Sequence, residues 1–526
     1  MAKKNFYLTT TLPYVNADPH IGFALEIVQA DILARYHALL GDEVFFNTGT
    51  DEHGLKIFQK AKEEGKDTQA YVDEYAAKFR SLKETLGLSE NLHFIRTTDT
   101  HHKVAAQAIW KRCLAKGDIE KRKYKGLYCV GDEAFLKESE LVDGKCPNHP
   151  TMDPVEIEEE NYFFTLSKYE KPLLEYLNRE GVIVPEWRRQ EAINFVKNGL
   201  EDFSVSRVKE KMPWGVPVPG DDSQVMYVWF DALTNYISTL GWPEDAEGNF
   251  EKFWEKGETM QIAGKDQVRF QSIMWQAMLM SAGLSTTDKV VYHGFITSGG
   301  QKMSKSIGNV IDPLSIVREY GTDALRYFLA RHVHPFEDSD VTMEKFKEAY
   351  NADLANGIGN LASRILKMVD SYKNNSFLDK LWWSISHMKS GKNTKIMKQI
   401  LLKSYPEYVR AMNEYRFNDA LNSIWILIQQ IDKQVQETQP FRIAKTDRGT
   451  AYRYASVLSG AVESPFNNTW GRQVFGDAAL DTNVEISINL FTVAVLLEPF
   501  MPVTARKIQR SVRARKSVAA LFPRKE

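Results

Sequence analysis

The sequence predicts an α/β protein in which a parallel-sheet domain is interrupted by an insert and followed by an all-α bundle. Three observations carry this. Short β-branched and aromatic runs alternate with helical patterns over residues 1–116. The alternation breaks over 117–224 and resumes at Val225. From about residue 340 the strand signals stop and helical periodicity continues alone.

The first element is a strand, because Tyr7 to Thr11 is β-branched and aromatic. Pro13 and Pro19 bracket a turn-rich loop, since proline fixes φ and has no N–H for a ladder. His20-Ile21-Gly22 follow, and then Leu25, Val28, Ile32 and Tyr36 recur at helical spacing. A strand, a loop with a histidine and a glycine, and an opening helix make an anion-binding geometry, because free N–H groups and the dipole point outward. The same residues also fit a plain βα turn with a solvent-facing histidine. Glu43 to Thr48 is a second strand, ending in Gly49-Thr50-Asp51-Glu52-His53-Gly54, where doubly wound sheets bind ligands. Helices are expected over 54–64, 69–86 and 100–116.

Composition bounds the chemistry. The 526 residues, 43% hydrophobic and 26% charged, describe a globular chain of roughly three to four domains. A formal net charge of −2 means that a nucleic-acid partner must meet local basic patches. Three cysteines, Cys113, Cys129 and Cys146, exclude a disulfide scaffold and fit a reducing compartment, so a cytoplasmic location is expected. Neither a signal-peptide core, a transit peptide nor a membrane-spanning run is read in the sequence.

Within 117–224, Tyr124 to Val130 and Asn161 to Leu166 read as strands. Between them, Cys129-x-x-Asp132 and Cys146-x-x-His149 form a knuckle-like donor set for zinc, and equally a loop with surface polar groups. Val225 to Phe230 reads as a strand before Asp231-Ala232-Leu233 and a helix; Trp229, with Asp231 and Tyr236, suits either an apolar pocket or core. A strand ends at Gly264-Lys265-Asp266, an apolar helix with Phe270 and Gln271 runs from Arg269 to Met280, and Lys289 to Phe295 is another strand. Ser298-Gly299-Gly300 then hinges a lysine loop, Lys302-Met303-Ser304-Lys305-Ser306, suited to charge developing on a leaving pyrophosphate. Asp312 caps a helix that starts at Pro313, and Asp323 opens another. Helical patterns follow over 342–373, 395–413, 416–437 and 483–500, with loop over 459–482. Asn360 and Arg364 share one helix face, and Phe441 follows Pro440 at a helix end. Arg506, Lys507, Arg510, Arg513, Arg515 and Lys516 place a basic face near the C-terminus.

The histidine-glycine turn and the lysine loop, roughly 300 residues apart and followed by an all-α domain, resemble class I aminoacyl-tRNA synthetases. Within that class the chain is similar to the methionyl-tRNA synthetases, through Thr11-Leu12-Pro13-Tyr14, Thr50 to Gly54, Val228 to Ala232, Gly264-Lys265-Asp266 and Asn360 to Arg364. The likeness covers nearly the whole chain and weakens over 374–394 and 459–482. It implies a Rossmann-type catalytic domain in two halves (1–116 and 225–296), a connective insert (117–224), a signature-loop and tRNA stem-contact region (297–345) and an anticodon-binding bundle (346–526).

The implied reaction joins methionine and ATP into methionyl-adenylate and pyrophosphate, then transfers methionine to the 3′ end of tRNA(Met). By position, Leu12, Tyr14, Asp51, Trp229, Ala232, Leu233, Tyr236, Phe270 and Gln271 would bind methionine. Pro13, Tyr14, His20, Gly22, Lys302, Met303, Ser304, Lys305 and Ser306 would bind ATP, with His20, Lys302 and Lys305 catalytic and Mg²⁺ sharing the charge. Asn360, Arg364 and Phe441 would contact the anticodon, and Cys129, Asp132, Cys146 and His149 are the candidate Zn²⁺ ligands. Four departures stand out: Phe23 and Gln271 replace histidines, Asp132 and His149 replace cysteines, and Phe441 replaces tryptophan. Phe23 and Gln271 keep open an alternative, a catalytically impaired paralogue that only binds RNA. A branched-chain synthetase is disfavoured because the insert is short for an editing domain. The basic terminal helix, with no further module after it, gives the expectation of a monomer.

Overall fold

The computed structural model describes residues 4–129, 134–136, 141–147, 152–303, 309–371, 405–439, 482–514 and 516–525. These divide into two compact units. The first comprises residues to Ala30, Glu43–Glu84 and Leu88–Phe295; the second comprises Asp31–Asp42, Thr85–Gly87 and the chain from Ile296.

The first unit opens with β1 (Asn5–Thr10), α1 (Ile21–Leu39, whose last turns belong to the second unit), β2 (Glu43–Thr50), α2 (Leu55–Glu63), α3 (Thr68–Thr85), β3 (Leu92–Arg96) and α4 (Thr100–Ala115). It continues through β4 (Ile119–Cys129), β5 (Ala134–Leu136), β6 (Val155–Phe164), α5 (Glu170–Leu177), β7 (Ile183–Val184), α6 (Glu186–Lys197), β8 (Phe203–Ser204), β9 (Ser206–Val208), β10 (Pro217–Val218) and β11 (Asp221–Met226). It closes with α7 (Val228–Leu233), α8 (Asn235–Ser238), β12 (Glu258–Gly264), α9 (Trp275–Ala282) and β13 (Lys289–His293).

Six strands form one parallel sheet in the order β3-β2-β1-β12-β13-β7. Phe6 to Thr10 are buried on both faces, as a central parallel strand covered by helices must be. The chain order reverses between β1 and β12, so the crevice outside their carboxyl ends is the place where this topology binds ligands. The strand β4 pairs antiparallel with β5 and β6 in a separate four-stranded sheet completed by β8.

Two sequence readings change. The apolar run from Val225 to Phe230 is not one strand. Its first two residues end β11 in a small antiparallel sheet with β9 and β10, and Val228–Leu233 is α7. A short apolar run fits a buried helix as well as a strand, and here Tyr227 breaks the ladder as the N-cap. The helix read from Arg269 is a wide π-turn over Phe270–Met274 that passes into α9.

In the second unit, Ile296–Ser298 and Gln301–Lys302 form a hairpin, and Ile296–Ser298 pairs parallel with Ser339–Asp340. Gly299 and Gly300, read as a hinge, are its two-residue turn. Both have φ above +60°, which favours glycine. Asp312 caps the Pro313–Tyr320 helix through the N–H groups of Leu314 and Ser315. Asp323 lies in the first turn of Thr322–Arg331, and its carboxylate caps a different helix, accepting from the N–H groups of Val503 and Thr504 at the start of Pro502–Ala514. Arg326 is wholly buried. It bonds the Asp31 carboxylate at 2.7 Å and the carbonyls of Leu86, Pro499 and Phe500, so one guanidinium gathers three segments onto its own helix. Helices dominate the rest of the described unit: Met343–Ala349, Asn360–Ser371, Pro406–Asn413, Phe417–Thr438, Thr482–Leu497 and Pro502–Ala514.

Candidate active site

The signature turn sits beyond the carboxyl end of β1. His20 is exposed, and its Nδ1 accepts the Gly22 N–H at 3.1 Å, so the ring lies against the start of α1. A Cβ on Gly22 would meet that ring at 2.9 Å, so only glycine lets the histidine take this place. Phe23 packs edge-on against Phe79 of α3, with centroids 5.2 Å apart.

Two residues missed by sequence reading lie beneath this turn. Glu26 is i+4 from Gly22, so helical spacing was the available signal. Its carboxylate accepts from Thr11 N at 2.7 Å, from Thr11 Oγ1 at 2.5 Å, and pairs with His293 Nε2 at 3.0 Å. Burial alone would lower the His293 pKa; the Glu26 carboxylate outweighs it and raises the value. The pair ties the ends of β1 and β13 to α1.

Asp51 follows β2. Its N–H donates to the Pro13 carbonyl at 3.0 Å, and Val15 N–H donates to its carbonyl at 3.2 Å, so Tyr14 and Asp51 face each other in an isolated parallel bridge. The next residue, Glu52, is fully buried and held by Arg96 through two 2.7 Å bonds, with hydroxyls from Thr50 and Thr98. Trp214 Nε1 donates to the Glu52 carbonyl at 2.6 Å. The backbone that presents Asp51 is therefore fixed on both sides.

The aromatic positions assemble from α7, α8 and the π-turn. Trp229 stacks on Phe270 with centroids 3.8 Å apart. Gln271 Nε2 donates to the Tyr236 hydroxyl at 2.6 Å, and the Tyr7 hydroxyl donates to the Tyr236 carbonyl at 2.7 Å. Burial pushes the Tyr236 phenol above its ordinary value, so it stays protonated. Leu233 and Tyr236 belong to one apolar cluster, and Tyr14, Trp229 and Phe270 pack partly buried against it. Ala232 is buried on α7 and its carbonyl accepts from Asn235 at 2.6 Å; Leu12 is half-buried in the loop after β1.

Asp231, read in the sequence as a pocket or core residue, has partners that sequence reasoning missed: its carboxylate lies between His53 and His102. Burial would raise its pKa, but the two imidazoles outweigh it and hold the carboxyl at about 2.

In the second unit, Lys302 ends the second strand of the hairpin and Met303 follows it, while Ser304, Lys305 and Ser306 lie outside the described residues. Asn360 is exposed at the start of its helix; one turn on, Arg364 bonds Asp432 at 2.7 Å, and Phe441 lies outside the described residues. Cys129 and Cys146 are buried and in no disulfide, while Asp132 and His149 lie outside the described residues. Among the described residues no group of three or more His, Cys, Asp or Glu side chains is arranged to hold a metal. None of their helices is long and apolar enough to cross a membrane.

The profile of the family described as tRNA synthetases class I (M) matches residues 6–154 and 150–366. The methionine–tRNA ligase of Fusobacterium nucleatum is 37% identical over 521 residues, covering 99% of this chain and 76% of that protein. That of Caldanaerobacter subterraneus is 40% identical over 508 residues, covering 96% and 73%. The solved structure of Mycobacterium tuberculosis methionyl-tRNA synthetase in complex with methionyl-adenylate superposes with a TM-score of 0.79 at 34% identity, covering 99% of each chain. The chain belongs to the class I tRNA synthetases (M), the family of the methionine–tRNA ligases.

Proposed function

We propose that this chain activates L-methionine with ATP and transfers it to the 3′ end of tRNA(Met), for initiation and elongation of translation. The observation that carries the reading is the meeting of Asp51 with Tyr14 at the sheet's carboxyl end, in a chain whose Tyr14, Trp229 and Phe270 lie partly buried against an apolar cluster that includes Tyr236, with the Gln271–Tyr236 pair among its few polar contacts. Asp51 would take the methionine ammonium as a charge-assisted partner, and Leu12, Tyr14, Trp229, Ala232, Leu233, Tyr236 and Phe270 would enclose the side chain.

The first step is an in-line displacement. A methionine carboxylate oxygen attacks the α-phosphorus, the bond to the bridging oxygen breaks, and pyrophosphate leaves with the electron pair. Pro13, Tyr14, His20 and Gly22 would hold ATP at the start of α1, where N–H groups suit phosphate. Lys302 and Lys305, with Met303, Ser304 and Ser306 shaping their loop, would neutralise the departing charge. In the second step a ribose hydroxyl of the terminal adenosine attacks the activated carbonyl and AMP leaves. The chain mainly positions and neutralises.

Mg²⁺ would supply charge neutralisation on the ATP phosphates, as magnesium commonly sits on substrate oxygens with few protein ligands. Two buried thiols, Cys129 and Cys146, have the donor chemistry for Zn²⁺, and Asp132 and His149 would complete a four-ligand site. Asn360, Arg364 and Phe441 are assigned to the CAU anticodon, within the five-part domain scheme read from sequence. We read the protein as a cytoplasmic monomer, a state that sedimentation measures.

Charging tests the whole reading. The purified chain should esterify tRNA(Met) with methionine, and a transcript with an altered anticodon should lose most of that charging. Tight binding of tRNA(Met) without charging at high enzyme would favour the RNA-binding alternative.

A further inference from the structure

Asp231 is a charged group in the interior with no place in the assigned chemistry. It sits on α7 between Trp229 and Ala232, and it is 1% exposed. One carboxylate oxygen lies 2.6 Å from His53 Nδ1, and the other lies 2.8 Å from His102 Nε2. His53 is two residues past Asp51, while His102 is in the first turn of α4. His102 Nδ1 lies 2.9 Å from Ser238 Oγ on α8, the helix that carries Tyr236. His53 in turn leans on the Trp214 indole, centroids 5.8 Å apart, and Trp214 holds the Glu52 carbonyl.

These contacts run from the segment bearing Asp51 to both helices bearing Trp229, Ala232, Leu233 and Tyr236. Packing alone does not call for such a group: a buried ion pair is often matched or bettered in stability by apolar residues of similar volume. What a carboxylate with both oxygens engaged supplies is direction, because each bond fixes an angle as well as a distance. A second polar tie runs parallel to it, from Asn47 Nδ2 to Asn235 Oδ1 at 3.1 Å. That tie reaches α8, whereas Asp231 is on α7 itself.

We propose that Asp231, gripped by His53 and His102, is a positioning residue that sets the spacing between the Asp51 side and the Trp229–Tyr236 side of the amino-acid site, and thereby the affinity for methionine. The inference rests on the assignment of methionine to that site. A shift of about 1 Å in a positioned group can lower reaction efficiency by about a hundredfold, so small changes in the clasp reach the substrate.

The test is ATP–pyrophosphate exchange with methionine and ATP varied separately, on the full chain. His53→Ala removes one arm while leaving Asp231 bonded to His102, and Asp231→Asn weakens both. His53→Asn keeps an amide N–H near the lost Nδ1 donor. His53→Ala and Asp231→Asn should raise the methionine KM by about ten- to a hundredfold, the loss expected of a charge-assisted hydrogen bond, with the ATP KM within about twofold. His53→Asn should recover most of the loss. The proposal is overturned if folded His53→Ala keeps its methionine KM within about twofold, if both KM values rise together, or if His53→Asn behaves like His53→Ala. Exchange by the unaltered chain that needs no methionine is a separate result, which would remove the site assignment and this inference with it.

Discussion

Arg96→Met isolates the anchor behind Asp51. Glu52 is fully buried, and its carboxylate takes two bonds from Arg96 and one each from Thr50 and Thr98. Methionine keeps the length of the arginine stem and removes both guanidinium bonds to Glu52, along with a third to the exposed Asp73, leaving a buried charge with two hydroxyl partners. Breaking a buried pair from one side costs roughly 3–5 kcal/mol. Arg96 keeps 17% exposure, so water enters and the lower end, about 3 kcal/mol, is expected. At about 2–4 °C per kcal/mol for a unit of this size, the melting transition should fall by roughly 6–12 °C. Glu52→Gln in the same chain removes the stranded charge, and the double variant should recover to within about 4 °C of the parent. The assay is thermal melting of the parent, both single variants and the double, read as a double-mutant cycle. A drop under about 2 °C for Arg96→Met, or losses that simply add, would refute the reasoning. Since Asp51 adjoins Glu52, methionine KM should rise in Arg96→Met more than ATP KM.

Three further outcomes follow from particular contacts. Phe23→His exchanges an edge-on contact with Phe79 for a ring that can donate; the exchange rate should change less than about tenfold, because a missing transition-state donor would be worth 10²–10³ and this site is filled by packing. A gain near a hundredfold would show that the donor limits the rate. Asp231 has a folded pKa of about 2 against about 4 unfolded, so its stabilisation is present above about pH 4 and lost as pH falls toward 2. Asp231→Asn should therefore flatten the acid limb of urea unfolding between those values by about 2 kcal/mol, and an unchanged limb would count against the ionised clasp. Asp323→Ala uncaps the Pro502–Ala514 helix and should cost about 1 kcal/mol in urea unfolding, whereas no loss would assign that cap elsewhere.

The parts legible in the sequence were those with local causes. The strand β1 shows itself because a doubly buried parallel strand is a continuous apolar and β-branched run. The Asp312 cap follows from its place before Pro313. The strand β3 escaped because it is a five-residue edge strand with a mixed burial pattern. Val225 to Phe230 misled because an apolar run of that length carries no period that separates strand from helix. The site divided the same way. Tyr14, Asp51 and Trp229 came from motifs, and Tyr236 from its position in the resemblance. The Asp231 clasp was invisible because its partners lie 178 and 129 residues away, and no local pattern encodes a bond across that distance.

ATP–pyrophosphate exchange by the purified chain, offered each amino acid in turn, tests the central claim most directly. Exchange should depend on methionine and fall by roughly 10²–10³ in Lys305→Ala, the loss expected when a charge-stabilising donor is removed. Exchange driven by leucine or isoleucine, or methionine-dependent exchange indifferent to Lys305, would contradict the account.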